Sequence, residues 1–278
     1  RLQTSAVIDD VLSMLDLGRK DRHAEACARV LAALLEGVPV DPVPEGLVEV
    51  LVPGALLTAD VVRRQAFAGA LKVLVKRGVP VQTFVGPLHD ELDSVTEVVP
   101  DFVDAVVLLT LQGITGSVPL RKTFAQVLAG TLRLSDAATL RSHAVKCCGV
   151  LVRALGDKAN SDSEFLCATL ASLEVFLTHA STELRPLAAP LQTVLVRLLD
   201  GPEQSAVVRV IVALVPASAR PEAFVKLLCK TPKVATLNAL TGICSAGHLR
   251  SVDVTSDLRA AAEAGTSHAD EEVRSAAQ

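Results

Sequence analysis

The sequence of 278 residues contains no Trp, no Tyr and only seven Phe. Because proteins hold single-stranded nucleic acids by stacking bases on aromatic rings, this scarcity argues against sequence-specific binding of nucleic acid. Half of the residues are apolar, mostly Leu, Val and Ala, and small aliphatic side chains suit thin helical layers that contact only their neighbours. No apolar run reaches the roughly 18 residues that span a bilayer, so no membrane partner is expected.

The sequence also lacks the motifs of common catalytic and cofactor sites: P-loop, dinucleotide-type glycine fingerprint, HExxH and GxSxG. The nearest catalytic arrangement is His143 with Cys147, four residues apart and therefore on one helix face. A thiolate and imidazole couple would need a cleft and a third orienting group, and two ligands are too few for a metal ion. We therefore predict a protein that is not an enzyme and has no cofactor. The alternative hypothesis is an enzyme based on this pair.

The six cysteines lack the paired spacing of a zinc site and the density of a disulfide scaffold. We interpret them as buried thiols in a reducing compartment, which favours a cytoplasmic protein. Gly113 and Gly116 have acidic surroundings, which disfavour bound phosphate, so both are interpreted as helix-end glycines.

The stretch from Ser117 to Leu199 contains four blocks in which apolar residues recur at intervals of three and four, the period of amphipathic helices. Short polar breaks separate the blocks and offer side-chain oxygens at helix starts: Ser135 or Asp136, Asp162 or Ser163, and Thr182. Pro186 falls in a first turn, where its missing N–H is not needed. This pattern predicts antiparallel helix pairs. The residues expected to be nearly inaccessible in their core are Leu151, Leu155, Leu170, Leu173, Leu191 and Leu195.

The same reasoning predicts further helices before and after this stretch. Helix starts near Ser117, Asp162 and Glu203 recur after about 40 residues, a period typical of HEAT and armadillo repeats. We therefore predict an all-α, right-handed α-solenoid of HEAT/armadillo-like helix pairs. The chain ends within a pattern, EEVRSAAQ, so it is expected to be a piece of a longer protein. The additional predicted helices are Thr4–Leu17, Asp21–Leu35, Leu47–Leu56 (cut by Pro53), Asp60–Lys76, Pro80–Leu92, Asp101–Leu111, Glu203–Leu214, Pro221–Cys229, Pro232–Ser245 and Asp253–Ala264, with another beginning at Glu271.

Several strings in the C-terminal part resemble the C-terminal HEAT region of the general-control translational activator family. They are ITGS at 114–117, LSDA at 134–137, LVRALGDK at 151–158 and ELRPLAAPLQTVLVRLLD at 183–200. The order and spacing match from about 114 to 200 and, more weakly, to about 246. The chain is accordingly divided into 1–113, with N-terminal HEAT-like helix pairs, and 114–278, with C-terminal HEAT repeats.

The resemblance implies a scaffold that acts with stalled or collided ribosomes through the full-length protein. In that family the C-terminal part binds the RWD domain of the starvation-responsive kinase that phosphorylates the alpha subunit of initiation factor two. This chain departs from the family pattern at Lys233, where the family has Arg, and in a shorter segment at 201–220. The alternative is a HEAT-repeat interaction module of another pathway, of the tubulin-binding or transport type. Tubulin-binding arrays usually present Trp, which this chain lacks.

The predicted binding face is basic although the net charge of the chain, −4, is too small to indicate a particular partner. Lys226 and Lys230 lie four residues apart and therefore on one helix face, and Lys233 opens the next helix. We expect these three lysines to face one acidic partner surface, with Arg209 and Arg220 beside them. The alternative interpretation is a solvated helix edge.

Overall fold

The computed structural model describes residues 10, 23–37, 46–116, 120–156, 162–230, 233–247, 255–268 and 271–277. Within these ranges the secondary structure is helical, with no strand. The all-α class predicted from the apolar period is therefore confirmed. Two compact units divide the chain, residues 1–139 and residues 140–278.

The first unit contains six of the helices that the structure describes. They are α1 (His23–Gly37), α2 (Leu47–Leu57), α3 (Val61–Lys76), α4 (Gln82–Leu92), α5 (Pro100–Gly116) and α6 (Arg121–Arg133). The next helix, α7 (Ala137–Gly156), begins three residues before the division and continues into the second unit.

The second unit continues with seven further helices among the described residues. They are α8 (Ser163–His179), α9 (Ala188–Leu198), α10 (Gln204–Leu214), α11 (Pro221–Cys229), α12 (Val234–Ser245), α13 (Thr255–Thr266) and α14 (Glu271–Ala276). Two short 3₁₀ turns, Arg185–Leu187 and Val215–Ala217, adjoin α9 and α10.

The helices of the first unit pack in two rows, and those of the second unit pack around one continuous row. In the first unit, α1, α3 and α5 contact one another in sequence and form one row, while α2, α4 and α6 form the other. In the second unit, α8, α10, α12 and α14 contact one another in sequence, and α9, α11 and α13 each contact a member of that row. Contacts to the next helix and to the next but one are the arrangement of a helical repeat, in which every layer buries its apolar face on a neighbour.

Asp side chains begin three of the helices. The carboxylate of Asp60 accepts hydrogen bonds from the backbone N–H groups of Val62 and Arg63 at 2.8 and 3.3 Å. Asp136 and Asp162 cap α7 and α8 in the same way. These bonds satisfy N–H groups that have no partner within the helix. Of the alternatives offered by the sequence, the structure uses Asp136 and Asp162.

The predicted core of the central stretch is confirmed. Leu151, Leu170, Leu173, Leu191 and Leu195 are 0% exposed, and Leu155 is 7% exposed. The helical period alone was sufficient to identify these positions, because an amphipathic helix has one continuous apolar face that packs against its neighbours.

Two predictions about helix ends are wrong. Pro53 does not cut α2, which continues through it to Leu57, because Leu51, Val52 and Leu56 around it are buried and their packing offsets the lost backbone bond. The α5 helix extends to residue 116 instead of ending near Leu111, so Gly113 lies inside the helix.

Gly113 therefore has another reason to be glycine. A Cβ at this position would lie 2.1 Å from Cδ2 of Phe124 on α6. The same arrangement occurs between α2 and α3, where a Cβ on Gly54 would lie 2.5 Å from Cδ1 of Phe67. Each of these glycines allows a fully buried Phe ring to reach the backbone of the paired helix.

Some predictions concern residues outside the described ranges: the helix Thr4–Leu17 except Asp10, which is helical, and the helix starts at Asp21, Ser117, Pro232 and Asp253. The compact units divide at Thr139 and Leu140. The earlier division after residue 113 followed the extent of the family resemblance, a different criterion, and stays a prediction.

Candidate protein-binding surface

The predicted basic residues lie on three neighbouring helices of the second unit. Buried Phe224, Val225 and Leu228 hold α11 against the unit, and α11 contacts α12. Lys226 lies on the exposed face of α11, and Lys230 follows its last residue. Lys233 precedes α12, where its backbone N–H donates to Thr236 Oγ1 at 2.8 Å. All three lysines are exposed, as the predicted face requires.

Two of these lysines already contact carboxylates of the same unit. The Nζ of Lys226 lies 3.6 Å from Asp257 Oδ2 on α13. The Nζ of Lys233 donates to Oδ1 of Asp200 at 2.6 Å, beyond the end of α9. Their side chains are 48% and 56% exposed, so water screens both pairs. Lys230 is exposed and has no ion pair among the described residues.

The two predicted arginines differ from each other. Arg209 on α10 donates from Nε to Glu174 Oε2 on α8 at 3.2 Å, which turns its guanidinium along the row toward α8. Arg220 precedes α11 and is exposed without an ion pair to a described residue. Of the two, Arg220 is therefore the one whose charge remains open to a partner.

Sequence reasoning missed Arg185. It lines one groove together with Arg220, between the first turns of α9 and α11. The signal available in the sequence was a repeated pattern, an Arg followed within three or four residues by small Ala residues at a helix start. The two arginines are 35 positions apart in the sequence, so an analysis of local charge does not detect them as a pair.

The structure also determines the environment of His143 and Cys147. Cys147 is 0% exposed, and burial raises the pKa of its thiol to about 12. Burial also raises the pKa of neighbouring Cys148. A thiol with such a pKa stays protonated at neutral pH and is a poor nucleophile, so this pair does not provide an activated thiolate.

The prediction that all six cysteines are buried holds only in part. Cys147 and Cys148 are buried, Cys27, Cys167 and Cys229 are half-buried, and Cys244 is exposed near the end of α12. In the ranges that the structure describes there is no group of three or more His, Cys, Asp or Glu side chains placed to hold a metal ion. None of the helices described is both long and apolar enough to cross a membrane.

Comparisons with known proteins add the following. No protein-family model and no curated protein matches the sequence. Among solved structures, the crystal structure of one engineered protein is similar at 17% identity with a TM-score of 0.43, over 98% of this chain and 76% of the other. A second engineered protein is similar at 18% identity with a TM-score of 0.38, over 97% of this chain and 94% of the other. The fold defines the class, an all-α protein built as a helical repeat.

Proposed function

We propose that this chain is a non-catalytic scaffold of translational control whose C-terminal part binds the RWD domain of the starvation-responsive initiation-factor kinase. The proposal rests on the family resemblance of the strings between residues 114 and 200, together with the basic residues that follow them. A stack of helix pairs offers an extended surface and is suited to holding another protein. Association with stalled or collided ribosomes would belong to the full-length protein.

The observation that carries the proposal is the exposure of Lys226, Lys230 and Lys233 on consecutive helices. Exposed ion pairs contribute about 0–1 kcal/mol, so the contacts of Lys226 with Asp257 and of Lys233 with Asp200 are easily exchanged for carboxylates of a partner. Lys230 has no ion pair among the described residues, so it can bind a partner's carboxylate without breaking an existing contact. Charges at the rim of an interface act mainly on the association rate and its dependence on salt.

The test is capture of the kinase's purified RWD domain by the immobilised chain. A Glu at position 226 or 233 would repel the neighbouring Asp257 or Asp200 of the same unit. The first variant therefore replaces Lys226, Lys230 and Lys233 by Gln. The second is the single change Lys230→Glu. We expect both variants to keep their helicity and melting temperature and to lose most of the capture. Lys146→Glu, an exposed charge change on α7, is the matched control and should capture normally.

The outcomes separate the candidate functions. Normal capture by both folded lysine variants would reject this surface as the RWD site. Absence of capture by the unmodified chain, with binding of tubulin or of a transport cargo in parallel assays, would favour a HEAT module of another pathway.

A further inference from the structure

A second surface of the same unit has the form of a binding groove. The first turns of α9 and α11 border a cavity of about 310 Å³ on the surface of the unit. Its lining is mostly apolar and small, with Arg185 and Arg220 as the charged members. Its lining includes Arg185, Ala189, Gln192, Arg220, Ala223 and Leu227.

The apolar part of the groove is accessible to a partner. Leu227 is 45% exposed, whereas most large aliphatic side chains among the described residues are buried or half-buried, and Ala189 and Ala223 are exposed beside it. Alanines along both helices leave a channel that apolar side chains of another helix can enter. The amide of Gln192 donates to Ser218 Oγ at 2.9 Å, so these two polar side chains of the groove region are already bonded to each other.

The charge of the groove is not balanced within the described residues. Arg209, Lys226 and Lys233 each have a carboxylate partner in the second unit, whereas Arg185 and Arg220 have no ion pair with any residue that the structure describes. Guanidinium groups bind carboxylates through two parallel hydrogen bonds. Two such groups at one apolar groove complement an occupant that is apolar on one face and acidic beside it.

The groove is also distinct from the lysine surface, the face formed by Lys226, Lys230 and Lys233, although Arg220, which the sequence analysis put beside those lysines, lines the groove. It lies on the side of α11 that faces α9, while Lys226 reaches from α11 to Asp257 of α13 on the other side. The two surfaces can therefore be disabled separately.

We propose that this groove binds an acidic amphipathic helix of a partner protein. Apolar side chains of that helix, spaced by three and four residues, occupy the channel over Ala189, Ala223 and Leu227. Carboxylates beside them pair with Arg185 and Arg220.

The probe is a fluorescein-labelled synthetic helix with Leu at helical spacing and Glu on both flanks, measured by fluorescence anisotropy with the whole chain. An isomer with Lys in place of every Glu is the probe control. We expect the acidic helix to bind, with an affinity that falls as salt rises, and the basic isomer not to bind. Equal binding of the two isomers, or no binding of the acidic one, overturns the proposal.

Three variants locate the binding. Arg185→Glu with Arg220→Glu should weaken the acidic helix about tenfold or more, since two attractions become repulsions. Ala223→Leu fills the channel without changing charge and should weaken binding as well. Arg197→Glu changes an exposed charge of α9 outside the groove and should leave binding unchanged.

Circular dichroism of each variant shows whether its fold is kept. The proposal is overturned if the Arg197 variant loses as much affinity for the acidic helix as the arginine double variant does. It is also overturned if the folded arginine double variant or the folded Ala223 variant binds that helix as tightly as the unmodified protein. Lys230→Glu should keep the acidic helix bound, and its effect on RWD capture tests the other surface independently.

Discussion

Glycine and phenylalanine together determine how closely two helix pairs of the first unit pack. Gly113 lies against Phe124, and Gly54 lies against Phe67, and both rings are fully buried. At Gly113 the nearest neighbours of an added Cβ are ring atoms of a side chain that has no space to withdraw, because Phe124 is 0% exposed. Close contact between paired helices therefore requires glycine at both positions.

Gly113→Ala should destabilise the protein by about 1–3 kcal/mol, since the new methyl group overlaps the Phe124 ring and the helices must move apart. Gly69→Ala is the matched control, because Gly69 lies inside α3 of the same unit and nothing approaches its Cβ position within 4 Å. That control should be neutral or stabilise by about 0.5–1 kcal/mol through helix propensity. Urea unfolding of both variants measures the difference. Similar stability changes in the Gly113→Ala and Gly69→Ala variants would show that α5 and α6 pack less closely than the contact of Gly113 with Phe124 indicates.

The thiols should differ strongly in reactivity. Iodoacetamide should label exposed Cys244 in the native protein and leave Cys147, whose pKa burial raises to about 12, and Cys148 unlabelled until unfolding. Mass spectrometry of each cysteine peptide measures this. Labelling of Cys147 as fast as that of Cys244 in the folded protein would contradict the buried position.

Cys167 offers a pH test of a single hydrogen bond. Its Sγ–H donates to Glu203 Oε2 at 3.0 Å, and this bond is the main reason why the pKa of the thiol is raised to about 11. Glu203→Gln removes the negative acceptor, so the pKa of Cys167 should fall and its alkylation should begin at lower pH. An unchanged pH profile of Cys167 alkylation would contradict this bond.

At the scale of elements, charged side chains connect neighbouring helices of one row. Lys72 on α3 pairs with Asp101 and Asp104 on α5, with 2.9 Å between Nζ and Asp101 Oδ1. Desolvation lowers the pKa of Lys72, but hydrogen bonds from its ammonium to Asp104 and Asp101 outweigh it, and the net pKa is raised. The three side chains are 23 to 33% exposed, so the pairing is partly screened by water.

Lys72→Met should destabilise the first unit by on the order of 1 kcal/mol at neutral pH, because two neighbouring carboxylates lose their shared cation. A pKa raised on folding stabilises the folded state below the unfolded pKa, near 10.5, and this contribution disappears as pH rises through the higher folded value. The difference in the free energy of unfolding between the unmodified protein and the Lys72→Met variant should therefore be constant around pH 7 and shrink above pH 10.5.

Arg29→Met is the control, since Arg29 pairs with Glu25 within one helix and is 66% exposed. It should change stability by only about 0.3–0.5 kcal/mol. Thermal unfolding at several pH values compares the three proteins, and equal changes for the two substitutions would show that the α3 to α5 pairing is no stronger than a pair on the surface of one helix.

At the scale of the whole molecule, the chain consists of two compact units whose division falls at Thr139 and Leu140, within the first turn of α7. Each unit has its own contacts between successive helices and its own buried side chains. Both the lysine surface and the groove belong to the second unit.

A segment of residues 137–278, which keeps α7 whole, should fold by itself into a helical protein with cooperative thermal unfolding, because the described contacts of α8 to α14 lie within that segment. Far-ultraviolet circular dichroism and calorimetry test this. A segment of residues 150–278, which removes Leu140, Ala144, Cys147 and Cys148 from the core, is the comparison and should melt at a lower temperature. Equal melting of the two segments would contradict a core contribution from that half of α7.

Most of the described helices and the buried faces of the central ones could be predicted from the sequence, and two helix starts were narrowed to a pair of candidate capping side chains each. Apolar period, Asp at helix starts and the six core leucines are properties of neighbouring residues along the chain, and local geometry converts them directly into a helix with one buried face. Contacts between side chains that are far apart in the sequence could not be predicted in this way. The contact of Gly113 with Phe124, the pairing of Lys226 with Asp257 and the meeting of Arg185 with Arg220 at one groove depend on how helices stack. An α-helical period specifies the face that is buried, and packing of side chains between helices then determines the neighbour that covers it.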